Sequence, residues 1–306
     1  MSRIIIGAGL SGLITACHIP NVPIQEATGY SEGHKALLRF RTAAVSNATG
    51  IPFREVTVHK AIYHEGETYL QCTPRLANMY ARKVLGKVSG DRSIWNLETV
   101  RRYIAPEDLH AQLVERHRKR IEWDTPLTQL ERGRADAIIS TIPLPTMMTA
   151  CGLEAPPSLS FAASPIQVSR YRLPHGTDVH QTIYFTQPNI LVYRASITGD
   201  LLIIERINDQ ADNPEHLSYV CGAFGISPTD AEPIEKADQK YGKIVELPQA
   251  IRRATLHKLS TDFNVYSIGR FACWRNILLD DILKDIGIVQ RLIDASDYDR
   301  RLVYAQ

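Results

Sequence analysis

Apolar positions along the chain fall into three patterns. Ile4-Ile5-Ile6 is a short unbroken run, the mark of a strand buried on both faces of a parallel sheet. Gly7-Ala8-Gly9-Leu10-Ser11-Gly12 follows at once; Leu13 to His18 then reads as a short helix ended by Pro20, and Val22 to Gln25 as a second strand with Glu26 at its end. Helical spacing returns over Glu107 to Lys119, with Leu109, Leu113 and Val114 near one face, and over Pro74 to Lys87. Ile121–Leu127 and Asp136–Ile142 predict neighbouring strands. Gln181–Thr186, Ile190–Ile197 and Leu201–Ile207 alternate or run apolar between turns at 187–189 and 198–200, which predicts an antiparallel sheet.

The six residues 7–12 are a complete G-x-G-x-x-G placed between a strand and a helix. Each glycine has a local reason. Gly7 permits the tight turn, Gly9 lets backbone approach a pyrophosphate, and Gly12 lets helix and strand pack closely; Ala8, Leu10 and Ser11 complete the turn. The helix N-terminus adds free N–H groups and a positive dipole end. Glu26 lies 19 residues after Gly7, suited to accept hydrogen bonds from a ribose diol and unsuited to a 2′-phosphate, which disfavours NADP.

Composition narrows the class. The 306 residues are 44% hydrophobic, with 35 basic against 33 acidic side chains, so a disordered chain is excluded and no global charge points to nucleic acid. The five cysteines form no CxxC pair, which argues against a disulfide framework or zinc site and fits a reducing cytoplasm. No metal-ligand spacing is found among the ten histidines; His110 and His117 read as a solvated helix face. No stretch reaches the length of a membrane span, and the glycines within 4–17 suit a dinucleotide turn better than a signal core. The basic run Arg116 to Arg120 reads as a solvated helix end or a phosphate-contact patch.

Four segments in order carry a family likeness: GAGLSGL at 7–13, Glu32-Gly33-His34 after the second strand, the strand 136–142 leading into Thr141-Ile142-Pro143, and Tyr266 to Trp274 with Gly269-Arg270 ahead of a helix over about 279–293. Together they resemble the FAD-dependent amine-oxidase and UDP-galactopyranose-mutase-like superfamily. The first glycine of that family's Gly-Gly loop is here Glu32. The resemblance implies an α/β fold: a Rossmann-like FAD-binding domain, with an inserted antiparallel sheet and helical cap. The FAD domain would be discontinuous over 1–58, 106–150 and 250–306, with 59–105 and 151–249 as the cap and substrate region. FAD contacts would come from the glycine turn, Glu26, Gly33, His34, Arg41, Thr141, Gly269, Arg270, Asn276 and Ile277. Arg270 would meet pyrophosphate or ribityl oxygens. Asp280 and Asp281 suit the first turn of the last helix through its dipole, and that helix end could face the flavin edge.

Flavin brings its own redox chemistry, so no strong acid–base constellation is required. The catalytic candidates are Tyr193 and Arg194, in a Y-R-x-S segment similar to one in the mutase-like proteins, and Trp274 before the last helix. Arg39 and Arg41 either line the flavin or alternate on a strand around Phe40. The leading expectation is an FAD-dependent oxidoreductase acting at a C–N centre on a small molecule. The alternatives are a flavin-dependent lyase or oxidase working on an amino-acid-modified base in phage DNA, and a non-redox mutase-like enzyme of sugar nucleotides.

Overall fold

The isoleucine run becomes Arg3–Ile6, the centre of a parallel sheet ordered Val265–Ser267, Ala137–Ser140, Arg3–Ile6, Ile24–Gln25, Ile121–Glu122. The computed structural model describes residues 2–30, 37–90, 94–133, 136–154, 160–207 and 214–305. After Arg3–Ile6 the chain crosses through helix Leu10–His18 to Ile24–Gln25 on one side, and Ala137–Ser140 flanks the other. The C-terminal end of Arg3–Ile6 is therefore the topological switch point, where open α/β sheets leave a crevice for ligands. Ile5 packs into a core with Leu13, Leu109 and Ile286, and Ile6 into a second core on the opposite face with Met147, Phe263 and Trp274.

A second sheet runs Glu232–Ile244, Ala163–Arg172, Leu201–Ile207, Val192–Thr198, His180–Phe185, Arg54–His64, Val100–Ile104, Arg39–Phe40, with Glu67–Tyr69 beside Arg54–His64. Neighbours are antiparallel except His180–Phe185 against Arg54–His64. Helix Pro214–Phe224 covers one face through Val220 and Cys221. Helix Pro74–Leu85 covers part of the other through Leu76, Tyr80 and Val84. That helix has local start and stop signals. Thr73 accepts from the Leu76 N–H, Pro74 opens the first turn, and Gly86 ends it at φ 72°.

Several expectations shift. Helix Leu10–His18 begins inside the glycine motif, three residues before the predicted start, so Gly9 is its N-cap. The strand Arg54–His64 runs through the expected boundary at 58/59, and within 59–105 only Pro74–Leu85 is α-helical among the described residues. Leu201–Ile207 forms with its predicted ends. His117 is buried, not solvated, with Nε2 3.3 Å from Cys17 Sγ; burial and the nearby Arg120 and Arg116 push its pKa down to about 4. Two arginines of the basic run turn inward, while Arg118 and Lys119 stay exposed, as expected of a solvated helix end. Arg120 donates to the carbonyls of Ala16, Ile19 and Val22 at 3.1, 3.0 and 2.9 Å, satisfying the open end of helix Leu10–His18, and Arg116 donates to Thr49.

Candidate functional site

Contact geometry explains why glycine stands at 7 and 12. Gly7 has φ 104°, and a Cβ there would sit 2.6 Å from Thr141 Oγ1; a Cβ on Gly12 would overlap the Gly7 carbonyl oxygen. Gly9 differs. Its φ of −71° suits any residue, yet among the described residues no heavy atom beyond its chain neighbours lies within 4 Å of the place its Cβ would take. Space is held open there, at the start of a helix whose first N–H groups receive no side-chain cap. Open space beside uncapped amides and a helix dipole suits a phosphate.

Neighbouring groups close the turn. Thr141 donates to the carbonyls of Ile6 and Gly7 at 2.9 and 3.2 Å. Ala8 N–H donates to Glu26 Oε2 at 2.7 Å, so the acid at the end of the second strand stands directly beside the turn. His110 Nε2 lies 3.1 Å from the Ala8 carbonyl, and the half-exposed Tyr30 ring stacks over it at 6.1 Å. His110 is thus a wall of the turn rather than part of a solvated face. The C-terminal segment arrives at the same place. Gly269, at φ 92°, presses against Ser11, where a Cβ would come within 2.7 Å of the hydroxyl. Leu10 is buried beneath.

Other expected cofactor residues are placed differently. Arg41 binds Asp281 at 2.6 Å and Asp280 at 3.6 Å, so its charge is spent fastening its loop to the last helix. The same two carboxylates stand at the start of that helix, where they oppose an anion. Arg270 donates to the Gly242 carbonyl at 3.2 Å and so ties the C-terminal segment to the second sheet. Asn276 and Ile277 lie in the turn before Leu279–Asp281. Gly33 and His34 fall outside the described residues.

All three catalytic candidates prove to be engaged within the protein. Trp274 is fully buried, packs edge-on to Phe161 and Tyr241, and donates its indole N–H to Val245 at 3.1 Å. It is a core residue. Tyr193 is fully buried and donates to Glu205, whose other oxygen takes both Nε and Nη2 of Arg194. Burial opposes charge on Glu205, but Arg194 and Lys243 outweigh it and hold this carboxyl below its ordinary value. Burial and the Glu205 charge keep Tyr193 protonated. The sequence carried a sign of this: Glu205 is an acid inside the apolar strand LLIIERI, and a buried charge needs partners.

A cleft of about 580 Å3 opens on the second sheet and the loops beside it, lined by Leu37, Leu38, Arg54, Glu107, Asp178 and Thr198 among others. That volume suits a small-molecule ligand. Arg170 binds Glu107 and Glu235 at 2.5 Å, and Arg172 binds Asp200 at 2.9 Å, bracing one wall. Arg54 and Asp178 are both exposed, and neither forms an ion pair among the described residues.

A second cavity of about 490 Å3 lies beside Met79, Lys83, Ile190, Leu191 and Ile207. Lys83 Nζ donates to the carbonyls of Phe185 and Val192 at 2.9 and 2.5 Å, and burial brings its pKa down to about 7. The folded state thus prefers the neutral amine, whereas the unfolded chain keeps its proton up to about pH 10.4. Between these values the unfolded chain holds more protons, so stability rises with pH, by at most about 1.4 kcal/mol per unit. Denaturant unfolding from pH 7 to 10 should show this rise, and Lys83→Met should remove it. Equal slopes in the two proteins would contradict it.

No family model and no curated protein matches the sequence. Solved structures match along nearly the whole chain. A CLA-producing fatty acid isomerase from P. acnes aligns at TM-score 0.61 and 12% identity, over 94% of this chain and 98% of that one. PqsL of P. aeruginosa in complex with 2-aminobenzoylacetate aligns at 0.56 and 14%, over 99% and 90%. A protein of Photorhabdus luminescens subsp. laumondii TTO1, assigned as an FAD-containing monooxygenase, aligns at 0.53 and 12%, over 100% and 93%. The fold is the Rossmann-like α/β fold of FAD-binding flavoproteins. At these identities the likeness is one of fold, and function has to be argued from the site.

Proposed function

We propose that the protein is an FAD-dependent oxidoreductase acting at a C–N bond of an amine or amino-acid-type substrate. The observation that carries the cofactor reading is the open space at Gly9, at an uncapped helix start, with Glu26 one hydrogen bond away. Residues 7–12 would receive the pyrophosphate and Glu26 the adenosine ribose. Gly269 keeps the C-terminal segment against Ser11. When bound, FAD supplies two-electron redox chemistry.

The chain's own residues would do the rest. The cleft on the second sheet would shelter the substrate from bulk water. Asp178, an exposed carboxylate on its wall without an ion-pair partner among the described residues, would attract an ammonium group. Arg54 on the same cleft offers the opposite charge. The C–N reading gains support from PqsL, whose ligand 2-aminobenzoylacetate bears both an amine and a carboxylate. A DNA substrate loses part of its support, because Arg116 and Arg120 donate to internal carbonyls, while Arg118 and Lys119 stay exposed. Anaerobic mixing with a panel of amines and amino acids tests the reading. Bleaching of the flavin by one of them is expected; lasting yellow colour with all of them would overturn the C–N assignment.

A further inference from the structure

The face of the second sheet that borders the cleft holds three buried polar atoms without a hydrogen-bond partner among the described residues: Nη1 of Arg39, Oγ1 of Thr198 and Nδ1 of His180. They are neighbours. His180 pairs with Thr198 across the antiparallel register, and the next pair on that face is Thr182 with Ser196. Arg39 Nη2 donates to both Thr182 and Ser196, whose hydroxyls lie 2.9 Å apart. Arg54 stands at the same corner, its Nη2 3.6 Å from where a Cβ on Gly199 would lie. Thr198, Gly199 and Arg54 all line the cleft.

Charge points the same way. Arg39 has no carboxylate partner among the described residues, and Glu205 is already bound to Arg194 and Tyr193. Burial and the neighbouring Arg194 push the Arg39 guanidinium down to about 10. Burial, Arg102 and Arg39 lower Lys60, and burial, Arg54 and Arg39 lower His180. Buried polar groups are nearly always satisfied, and a desolvated cation without an anion is costly. A cluster of orphaned polar atoms, rich in positive charge and beside a ligand-sized cleft, is suited to an anion that arrives from outside.

We propose that Arg39, Thr198, His180 and Arg54 form the carboxylate-binding end of the cleft, and that the substrate is a small organic acid anchored there. The assignment of that cleft as the reaction chamber rests on the function proposed above; the anion site itself does not require flavin. The two oxygens of one carboxylate would satisfy Arg39 Nη1 and the Thr198 hydroxyl with charge-assisted hydrogen bonds, which gives a carboxylate an advantage over its neutral amide.

Calorimetric titration of the purified protein with benzoate, propionate and benzamide tests this, with flavin content read separately from the visible spectrum. Saturable binding of at least one carboxylate, and none of benzamide, is expected. Arg39→Met should weaken that binding by about 30-fold, and Thr198→Val by about tenfold. Because Arg39→Met removes an uncompensated buried charge, it should unfold no earlier than the parent without ligand. If it does unfold early, exposed Arg54→Met carries the test, and unchanged carboxylate affinity in that variant overturns the proposal. A yellow protein indifferent to both carboxylates also overturns it and leaves the flavin reading standing. A colourless protein that binds them through Arg39 does the reverse.

Discussion

Gly9→Ala should fold normally and lose FAD, whereas Gly12→Ala should fail at the earlier step of folding. The two glycines share one motif but meet different surroundings. Backbone at Gly9 is already in a conformation alanine adopts, and among the described residues the added methyl meets no atom beyond its chain neighbours within 4 Å. Its stability should therefore stay within about 1 kcal/mol of the parent, the loss of a glycine N-cap offsetting reduced freedom of the unfolded chain. The methyl instead occupies the room left for the cofactor. Overpacking of that kind costs about 1–3 kcal/mol, which is roughly a 5- to 150-fold loss of FAD affinity. At Gly12 the methyl would overlap the Gly7 carbonyl, a backbone group, with no flexible side chain to yield. Thermal unfolding and flavin content of the two variants check both statements. Full flavin occupancy in Gly9→Ala would show that the open space serves something else.

Glu205→Gln should be the most destabilising single change on the second sheet. Glu205 is almost fully buried, receives hydrogen bonds from Tyr193 and Arg194, and lies within the field of Lys243. The amide would leave Arg194 and Lys243 without their shared anion. Breaking a buried pair from one side costs about 3–5 kcal/mol, on the order of 10 °C in Tm. Chemical denaturation of the variant measures it. A change below about 0.5 kcal/mol, the scale of a surface substitution, would mean that the pair is hydrated and contributes little.

What the sequence revealed follows the range of the interactions involved. The turn at 7–12 was legible because the strand before it, the helix after it and the glycine spacing are all local, although only Gly12 answers a contact within the unit, Gly7 answering Thr141 and Gly9 being left open. Leu201–Ile207 was legible because nearly every residue of it is buried. Glu232–Ile244 was not, since EPIEKADQKYGKI is mostly polar; it lies at the sheet's edge, pairs only with Ala163–Arg172, and needs little apolar surface. Arg54–His64 does alternate, with Val56 and Val58 buried between exposed neighbours, but a domain boundary set at 58 cut the pattern in two. Site residues were hardest where partners are distant in the chain. Arg39 meets Thr182 and Ser196 across more than 140 positions, and nothing local in Arg39-Phe40-Arg41 separates the arginine that faces inward from the one that binds Asp281. Trp274 misled because position near a cofactor segment says nothing of where the ring points; the indole N–H is taken by Val245.

The central claim is that the crevice at the end of Arg3–Ile6 holds FAD. The most direct test is the absorbance spectrum of the purified protein, with the released small molecule identified by mass. The account predicts the two bands of an oxidised flavin and FAD as the released species. A colourless protein that takes up no FAD on reconstitution, yet binds NAD, would contradict it.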